Sequence, residues 1–127
     1  MPIPGSVSTS EGDFSIRLIP NEKQNILQKT YTKWFDYDKI KNRLNIRKRC
    51  AGDYLTINEA LSKKSLKEYM IQEKIPKEER YNIWLLAEES HILWVIGGRI
   101  SAQYKIGPNT KHILQVQLKG GTKWENT

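Results

Sequence analysis

The sequence predicts an α+β fold in which a mostly antiparallel, curved or barrel-like sheet carries one or two inserted short helices. Three observations support this prediction. Several short segments alternate apolar and polar residues with a period of two, as half-buried strands do. One segment has the three-to-four-residue apolar spacing of a helix. Glycine, proline and aspartate separate the segments, which indicates turns.

The N-terminal segment is predicted to be a hairpin over Gly5–Ile19. Glu11-Gly-Asp13 has the composition of its turn. Phe14, Ile16 and Leu18 then alternate with polar residues, which predicts that one face of the second strand is buried.

The next segment is predicted to contain a loop, two strands and two turns. The polar stretch 21–29 is the loop, and the aromatic-rich stretch Tyr31–Tyr37 is the first strand. Asp38–Asn42 is a turn. Arg43–Arg49 alternates again, so we expect a strand with its basic side chains facing solvent, and a turn at Gly52-Asp53 ends it.

The pattern changes to a helix in the middle of the chain, inserted after the fourth strand. Leu66, Tyr69 and Met70 have helical spacing, and either Ser62 or Ser65 is a suitable N-cap. A helix from Ser62 would bring three lysines within about 40° of one another. These lysines are Lys63, Lys67 and Lys74.

The last part of the chain is predicted to return to strands after a second short helix at Pro76. Ile83–Ala87 and His91–Ile96 are apolar runs of buried-strand length, and Glu88-Glu89 between them is expected to be a solvated turn. Ile113–Leu118 is the final alternating strand.

Length and composition predict a cytoplasmic protein of one domain, over residues 1–118, with a flexible tail at 119–127. No apolar stretch approaches the length of a membrane span, and no signal peptide is evident. A single cysteine excludes an internal disulfide and fits a reducing compartment. The Pro-Gly start suggests a piece cut from a longer protein.

Positive charge is concentrated between Lys39 and Arg80. That stretch holds twelve Lys and Arg against six Asp and Glu, a surplus of six in a chain of net charge +7. A localised basic surface attracts polyanions, so the stretch predicts nucleic-acid binding. Tyr37, Tyr54 and Trp84 are candidates for stacking on bases, although core packing is the favoured interpretation of each.

No catalytic or metal set is predicted. Cys50 lacks a nearby base, because His91 and His112 are distant strand residues, and two histidines with one cysteine are a poor metal set. The Gly-Gly pairs lack the lysine and serine of a phosphate loop.

Two motifs in a fixed order resemble the C-terminal domain of tRNA(Ile)-lysidine synthetases. They are Asn45-Ile-Arg-Lys-Arg-Cys-Ala-Gly-Asp53 and the segment from Lys63 to Arg80, which begins Lys-Lys-Ser-Leu-Lys. The similar order continues through Leu85-Leu-Ala87 to Thr110–Leu114.

The resemblance implies a tRNA-binding domain that shares its fold with part of the phenylalanyl-tRNA synthetase β chain. The parent enzyme of this family attaches lysine to the wobble cytidine of an isoleucine tRNA, using ATP with Mg²⁺. That chemistry belongs to an N-terminal ligase domain with a Ser-Gly-Gly-x-Asp-Ser loop, which this sequence lacks. We therefore expect no catalytic residue, cofactor or metal here, and expect tRNA and the ligase domain as partners.

The residues that match the family pattern form the predicted site. The predicted tRNA-binding residues are Arg47, Arg49, Lys63, Lys64, Lys67, Lys74, Arg80 and Arg99, and the predicted structural turn is Gly52-Asp53. Asp53 is expected to accept turn N–H groups or to orient Arg49. The sequence departs from the family pattern at Glu59–Ser62, which lacks the usual Gly, and at Trp84, which replaces Pro.

An alternative from another class is a protein-interaction module for docking or dimerisation. Its motives are the surplus of aromatic residues and the two strand-length runs from Ile83 to Ile96, which would promote association if they left an exposed sheet edge.

Overall fold

The computed structural model describes residues 5–9, 12–22 and 31–119, which belong to two compact units. The first unit takes residues up to Ile40 and from Lys105 onward, and the second is Lys41–Tyr104. No helix in the described residues is long and apolar enough to cross a membrane.

The first unit is a four-stranded antiparallel sheet in the order β1-β2-β9-β3. Its strands are β1 (Gly5–Thr9), β2 (Gly12–Pro20), β3 (Thr32–Asp36) and β9 (His112–Lys119). The predicted alternation in β2 is confirmed for Phe14 and Ile16, which are buried, whereas Leu18 is 40% exposed. A 3-10 turn at Tyr37–Lys39 occupies the predicted turn after β3.

The second unit has a five-stranded sheet in the order β4-β7-β8-β5-β6, with parallel pairing only between β5 and β8. The strands are β4 (Leu44–Arg47), β5 (Tyr54–Thr56), β6 (Lys63–Ser65), β7 (Leu85–Glu88) and β8 (His91–Val95). One helix, α1 (Leu66–Gln72), packs on it. The 3-10 turns are Lys77–Glu79 and Ala102–Tyr104.

The predicted class is confirmed: strands dominate, pairing is mostly antiparallel, and one helix is inserted. Over the described part of the chain the strands form two sheets, and neither closes into a barrel. The second predicted helix is only the 3-10 turn after Pro76. Strand β9 ends at Lys119, the first residue of the predicted tail, and residues 120–127 lie outside the described residues.

Helix α1 begins later than the Ser62 alternative required. Ser65 is the N-cap, and its hydroxyl accepts the Glu68 N–H at 3.1 Å. Lys63 is therefore in β6, before the helix. Lys74 lies beyond its end, so the helical face predicted for Lys63, Lys67 and Lys74 does not exist.

The end of α1 is a Schellman motif. Lys74 N–H donates to the Ile71 carbonyl and Ile75 N–H to the Met70 carbonyl, each at 3.0 Å. Lys74 occupies the left-handed position of this motif with a φ of 56°. Glycine is the usual residue there, because its lack of a Cβ removes the steric cost.

Glu88, expected in a solvated turn, is the buried last residue of β7. Its carboxylate accepts the Tyr104 O–H at 2.7 Å and the amides of Lys41 and Asn42 at 2.5 and 2.6 Å. Burial alone would raise the pKa of Glu88, but these hydrogen bonds outweigh it and lower the pKa. Glu89 makes the turn, with a φ of 53°.

Candidate nucleic-acid interface

Two adjoining clefts in the second unit form a basic groove, defined here by the cations Arg49, Lys63, Lys67, Lys77 and Arg80. The larger cleft, of about 510 Å³, lies between the loop 49–53 and the start of α1. The smaller cleft has a volume of about 330 Å³. Arg49 and Lys67 line both clefts and so connect them.

The loop that carries Arg49 is closed by an ion pair. The buried Asp53 carboxylate binds the Arg47 guanidinium through hydrogen bonds of 2.9 and 2.8 Å and accepts the Cys50 N–H at 2.8 Å. Arg47 also donates to the Lys48 and Glu89 carbonyls. The hydrogen bond with Asp53 raises the pKa of Arg47, outweighing the opposite effect of burial. The positive charge of Arg47 is thus compensated by the Asp53 carboxylate.

Asp53 accepts a turn N–H, as the sequence predicted, but it orients Arg47 rather than Arg49. The predicted Arg43–Arg49 strand ends at Arg47, whose side chain is only 23% exposed, so its solvent-facing prediction was wrong. Arg49 lies in the loop after β4, so the alternation of strand faces does not determine the direction of its side chain. Its guanidinium sits 5.0 Å from the centre of the Tyr81 ring.

Two lysines in and near the groove make cation–π contacts. Lys63 Nζ lies 4.8 Å from the centre of the Tyr54 ring, and Lys48 Nζ lies 4.7 Å from that of Trp84. Tyr54 is half-buried and stacks on His91 with ring centres 4.6 Å apart. Tyr54 therefore both packs inward and lines the larger cleft.

The groove is electrostatically one-sided. Among the residues lining its two clefts, Asp53 has the one carboxylate, and Arg47 binds it. Five cations thus face a concave surface that has no free counter-charge of its own. Such a surface attracts a polyanion, and the clefts focus the field.

The structure brings together half of the predicted tRNA-binding residues: Arg49, Lys63, Lys67 and Arg80 line the groove, beside Gly52 and Asp53. The other half lie outside its lining. Arg47 binds Asp53, Lys64 donates to Gln72, Arg99 donates to the Ile57 carbonyl, and Lys74 caps α1.

Two groove residues were missed by sequence reasoning. Lys77 and Tyr81 line the smaller cleft, on either side of the predicted Arg80. An aromatic residue next to arginine in a polar segment was the available signal for Tyr81.

The residues considered for catalysis lie in separate surroundings. Cys50 is exposed, with its thiol 3.9 Å from the Lys48 carbonyl. His91 lies against Tyr54 and Tyr104, and burial lowers its pKa. Across residues 5–9, 12–22 and 31–119, no three His, Cys, Asp or Glu side chains group as metal ligands do.

Comparison with known proteins places this groove within a shared domain. The family model "TilS substrate C-terminal domain" matches residues 44–118. Two curated relatives are tRNA(Ile)-lysidine synthases. The one from Caldanaerobacter subterraneus subsp. tengcongensis is 42% identical over 87 residues, covering 68% of this chain and 19% of that protein. The one from Clostridium acetobutylicum is 38% identical over 105 residues, covering 82% and 23%.

The chain thus spans about a fifth of the length of the curated relatives it matches. A solved structure described as the crystal structure of the TILS C-terminal domain superposes with a TM-score of 0.73. The match covers 95% of each chain at 23% identity, which shows a common fold. The family resemblance stated from the sequence motifs is confirmed.

Proposed function

The chain belongs to the TilS substrate C-terminal domain family, and from that premise we propose that it is the tRNA-binding C-terminal domain of a tRNA(Ile)-lysidine synthase. Its parent is then an ATP-dependent ligase that acts in the cytoplasm on an isoleucine tRNA. A separate N-terminal domain would supply the lysine-transfer chemistry and hold ATP with Mg²⁺. The domain of this family extends, on our proposal, over residues 1–118.

The observation that carries the proposal is the basic groove. A tRNA backbone presents regularly spaced phosphates, and each phosphate neutralised by Lys or Arg releases bound counterions. Arg49, Lys67 and Arg80 lie close enough to line connected clefts, so they can contact neighbouring phosphates of one RNA strand. Because Asp53 is already bound by Arg47, no lining carboxylate repels the RNA.

Binding of the full chain to tRNA, measured over about 50–200 mM salt, tests this proposal. We expect affinity to fall steeply as salt rises. The triple variant Arg49→Ala, Lys67→Ala, Arg80→Ala should bind much more weakly. For this variant, the slope of log affinity against log salt concentration should be less steep by about one unit for each phosphate that is no longer neutralised.

A matched control separates the groove from net charge. Arg43, Lys64 and Lys74 are outside the groove lining, and their replacement by alanine removes the same charge. This control should bind nearly as well as the parent chain. Equal losses of affinity in the two triple variants would show that only net charge matters, and absence of binding at low salt would reject tRNA binding.

The docking or dimerisation alternative loses one of the two observations that motivated it. The runs within Ile83–Ile96 form β7 and β8, and each of these strands is paired on both sides within the five-stranded sheet. They therefore leave no exposed edge. The edges of that sheet are the short strands β4 and β6.

A further inference from the structure

Tyr81 is an exposed aromatic residue in a setting that gives it little reason to be aromatic for packing. The residue is 64% exposed, more than any other large hydrophobic residue in the described ranges. Arg49 covers one face of the ring at 5.0 Å. Because most of the residue is exposed, we infer that the face of the ring away from Arg49 is accessible to a ligand.

The segment around Tyr81 is held in place by its neighbours. Arg80 Nε donates to the Ile75 carbonyl at 2.9 Å, and Asn82 N–H donates to the Glu79 carbonyl at 3.0 Å. Arg80 has five N–H donors, so this bond leaves others for a ligand. The chain on both sides of Tyr81 is thus held by hydrogen bonds.

The cleft beside this ring combines an aromatic face with a cluster of cations. Its lining is Arg49, Lys67, Lys77, Arg80 and Tyr81, and no carboxylate is among them. Its volume of about 330 Å³ is within the range of small-ligand pockets. A phosphate alone would need only the cations. A base joined to a phosphate uses both parts of the lining.

Base pairing decides which form of RNA fits. In a duplex the base faces are stacked on each other, so a protein ring cannot cover them without unstacking, whereas an unpaired nucleotide offers a free face. We propose that the smaller cleft binds one unpaired nucleotide of the RNA, with its base on the open face of Tyr81 and its phosphate among Lys67, Lys77 and Arg80. This inference rests on the proposed tRNA binding and specifies which kind of segment the groove selects.

The test uses the full chain and two RNA hairpins of identical stem, each closed by a non-nucleotide linker so that no loop base is present. One is blunt and the other has a short single-stranded 3′ extension. The extended hairpin should bind about tenfold more tightly, the effect of one base stacked on an aromatic ring. Tyr81→Phe keeps the ring and should keep this ratio. Tyr81→Leu keeps apolar bulk without the ring and should bring the ratio of the two affinities close to one, mainly by weakening the binding of the extended hairpin.

A fluorescent 2-aminopurine in the extension gives an independent readout, because stacking quenches its emission. Quenching by the parent chain and by Tyr81→Phe, but not by Tyr81→Leu, is the expected result. Equal affinity of the parent chain for both hairpins, or an equal loss for both in Tyr81→Leu, would overturn the stacking site. Salt-sensitive binding in those cases would leave the proposed function standing, whereas failure of both hairpins and of tRNA to bind would reject both.

Discussion

Asp53 ties Arg47 to the turn that presents Arg49 to the groove: its carboxylate binds the Arg47 guanidinium at 2.8 and 2.9 Å and the Cys50 amide at 2.8 Å. Neither charge of this pair is directed at a ligand. The pair instead determines where the chain between its members runs. On the proposed function, Arg49 contacts the RNA while Arg47, two residues earlier, closes the loop.

Replacing Asp53 by alanine separates these two tasks. The change leaves the Arg47 guanidinium and the Cys50 amide without their acceptor, so we expect a loss of about 2–3 kcal/mol in the free energy of unfolding, measured in urea. The variant also loses one negative charge, which on its own would strengthen RNA binding. Weaker tRNA binding despite that change in charge would follow from displacement of Arg49, and unchanged stability with stronger binding would contradict the loop-closing function.

Gly52 should be intolerant of alanine for a conformational reason. Its φ is +86°, yet a Cβ built there meets no atom within 4 Å. Gly52→Ala should thus cost about 1 kcal/mol through backbone strain alone. Gly107 is the control, because it has the same open surroundings without the positive φ. Comparable midpoints of urea unfolding for the two variants would argue against the strain at Gly52.

Lys74→Gly should stabilise the protein. Lys74 holds the left-handed position after α1 at a φ of 56°, where a residue with a Cβ carries a steric cost and glycine does not. We expect a gain of about 0.5–1 kcal/mol in thermal or urea unfolding. Lys74→Ala removes the same charge but keeps the Cβ, so it should show no gain. A gain of equal size in both would assign the effect to charge.

Lys67 and Lys64 should differ in their effect on tRNA binding. Lys67 lines both clefts of the groove, whereas Lys64 is outside their lining and contacts Gln72. Lys67→Ala should reduce the salt slope by about one unit with little loss of stability, and Lys64→Ala should change it less. In the full-length synthase that we propose as the parent, Lys67→Ala should raise the apparent KM for tRNA and leave that for ATP unchanged. A selective ATP defect would place Lys67 elsewhere in the reaction.

Glu88 should make stability depend on acid pH. Its pKa is lower in the folded than in the unfolded protein, so its stabilising contribution is present above its ordinary value of 4.5 and is lost as pH falls through the folded value. Glu88→Gln places an amide against two backbone N–H groups and should cost about 1–3 kcal/mol at neutral pH. The difference between the two proteins should shrink below pH 4.5, and a constant difference would contradict an ionised Glu88.

The elements with a clear periodic pattern were predictable from the sequence. Phe14 and Ile16 in β2 and the Ser65 cap of α1 depend on local residue spacing, which a sequence displays directly. Strand β6 was missed because Lys63–Ser65 is polar throughout and becomes a strand by pairing with β5. Partners formed across the fold leave no such local signal.

For the candidate site too, local composition was predictable from the sequence and contacts formed across the fold were not. The surplus of Lys and Arg predicted a basic surface, but not which cations would share it. Arg47 was predicted to bind tRNA, and its ion pair with Asp53 was not predicted, because such a partner cannot be recognised from spacing alone. Glu88 was expected in solvent because a carboxylate is rarely buried, and the donors that satisfy it come from both ends of the second unit.

The two donors Lys41 and Tyr104 have a consequence for protein engineering, because they are the two ends of the second unit. The chain enters the second unit at Lys41 and leaves it at Tyr104, and one carboxylate, that of Glu88, bonds to both residues. The first and last residues of this unit therefore lie close together, next to the same side chain. Close ends of this kind are the arrangement in which circular permutation and domain insertion are tolerated.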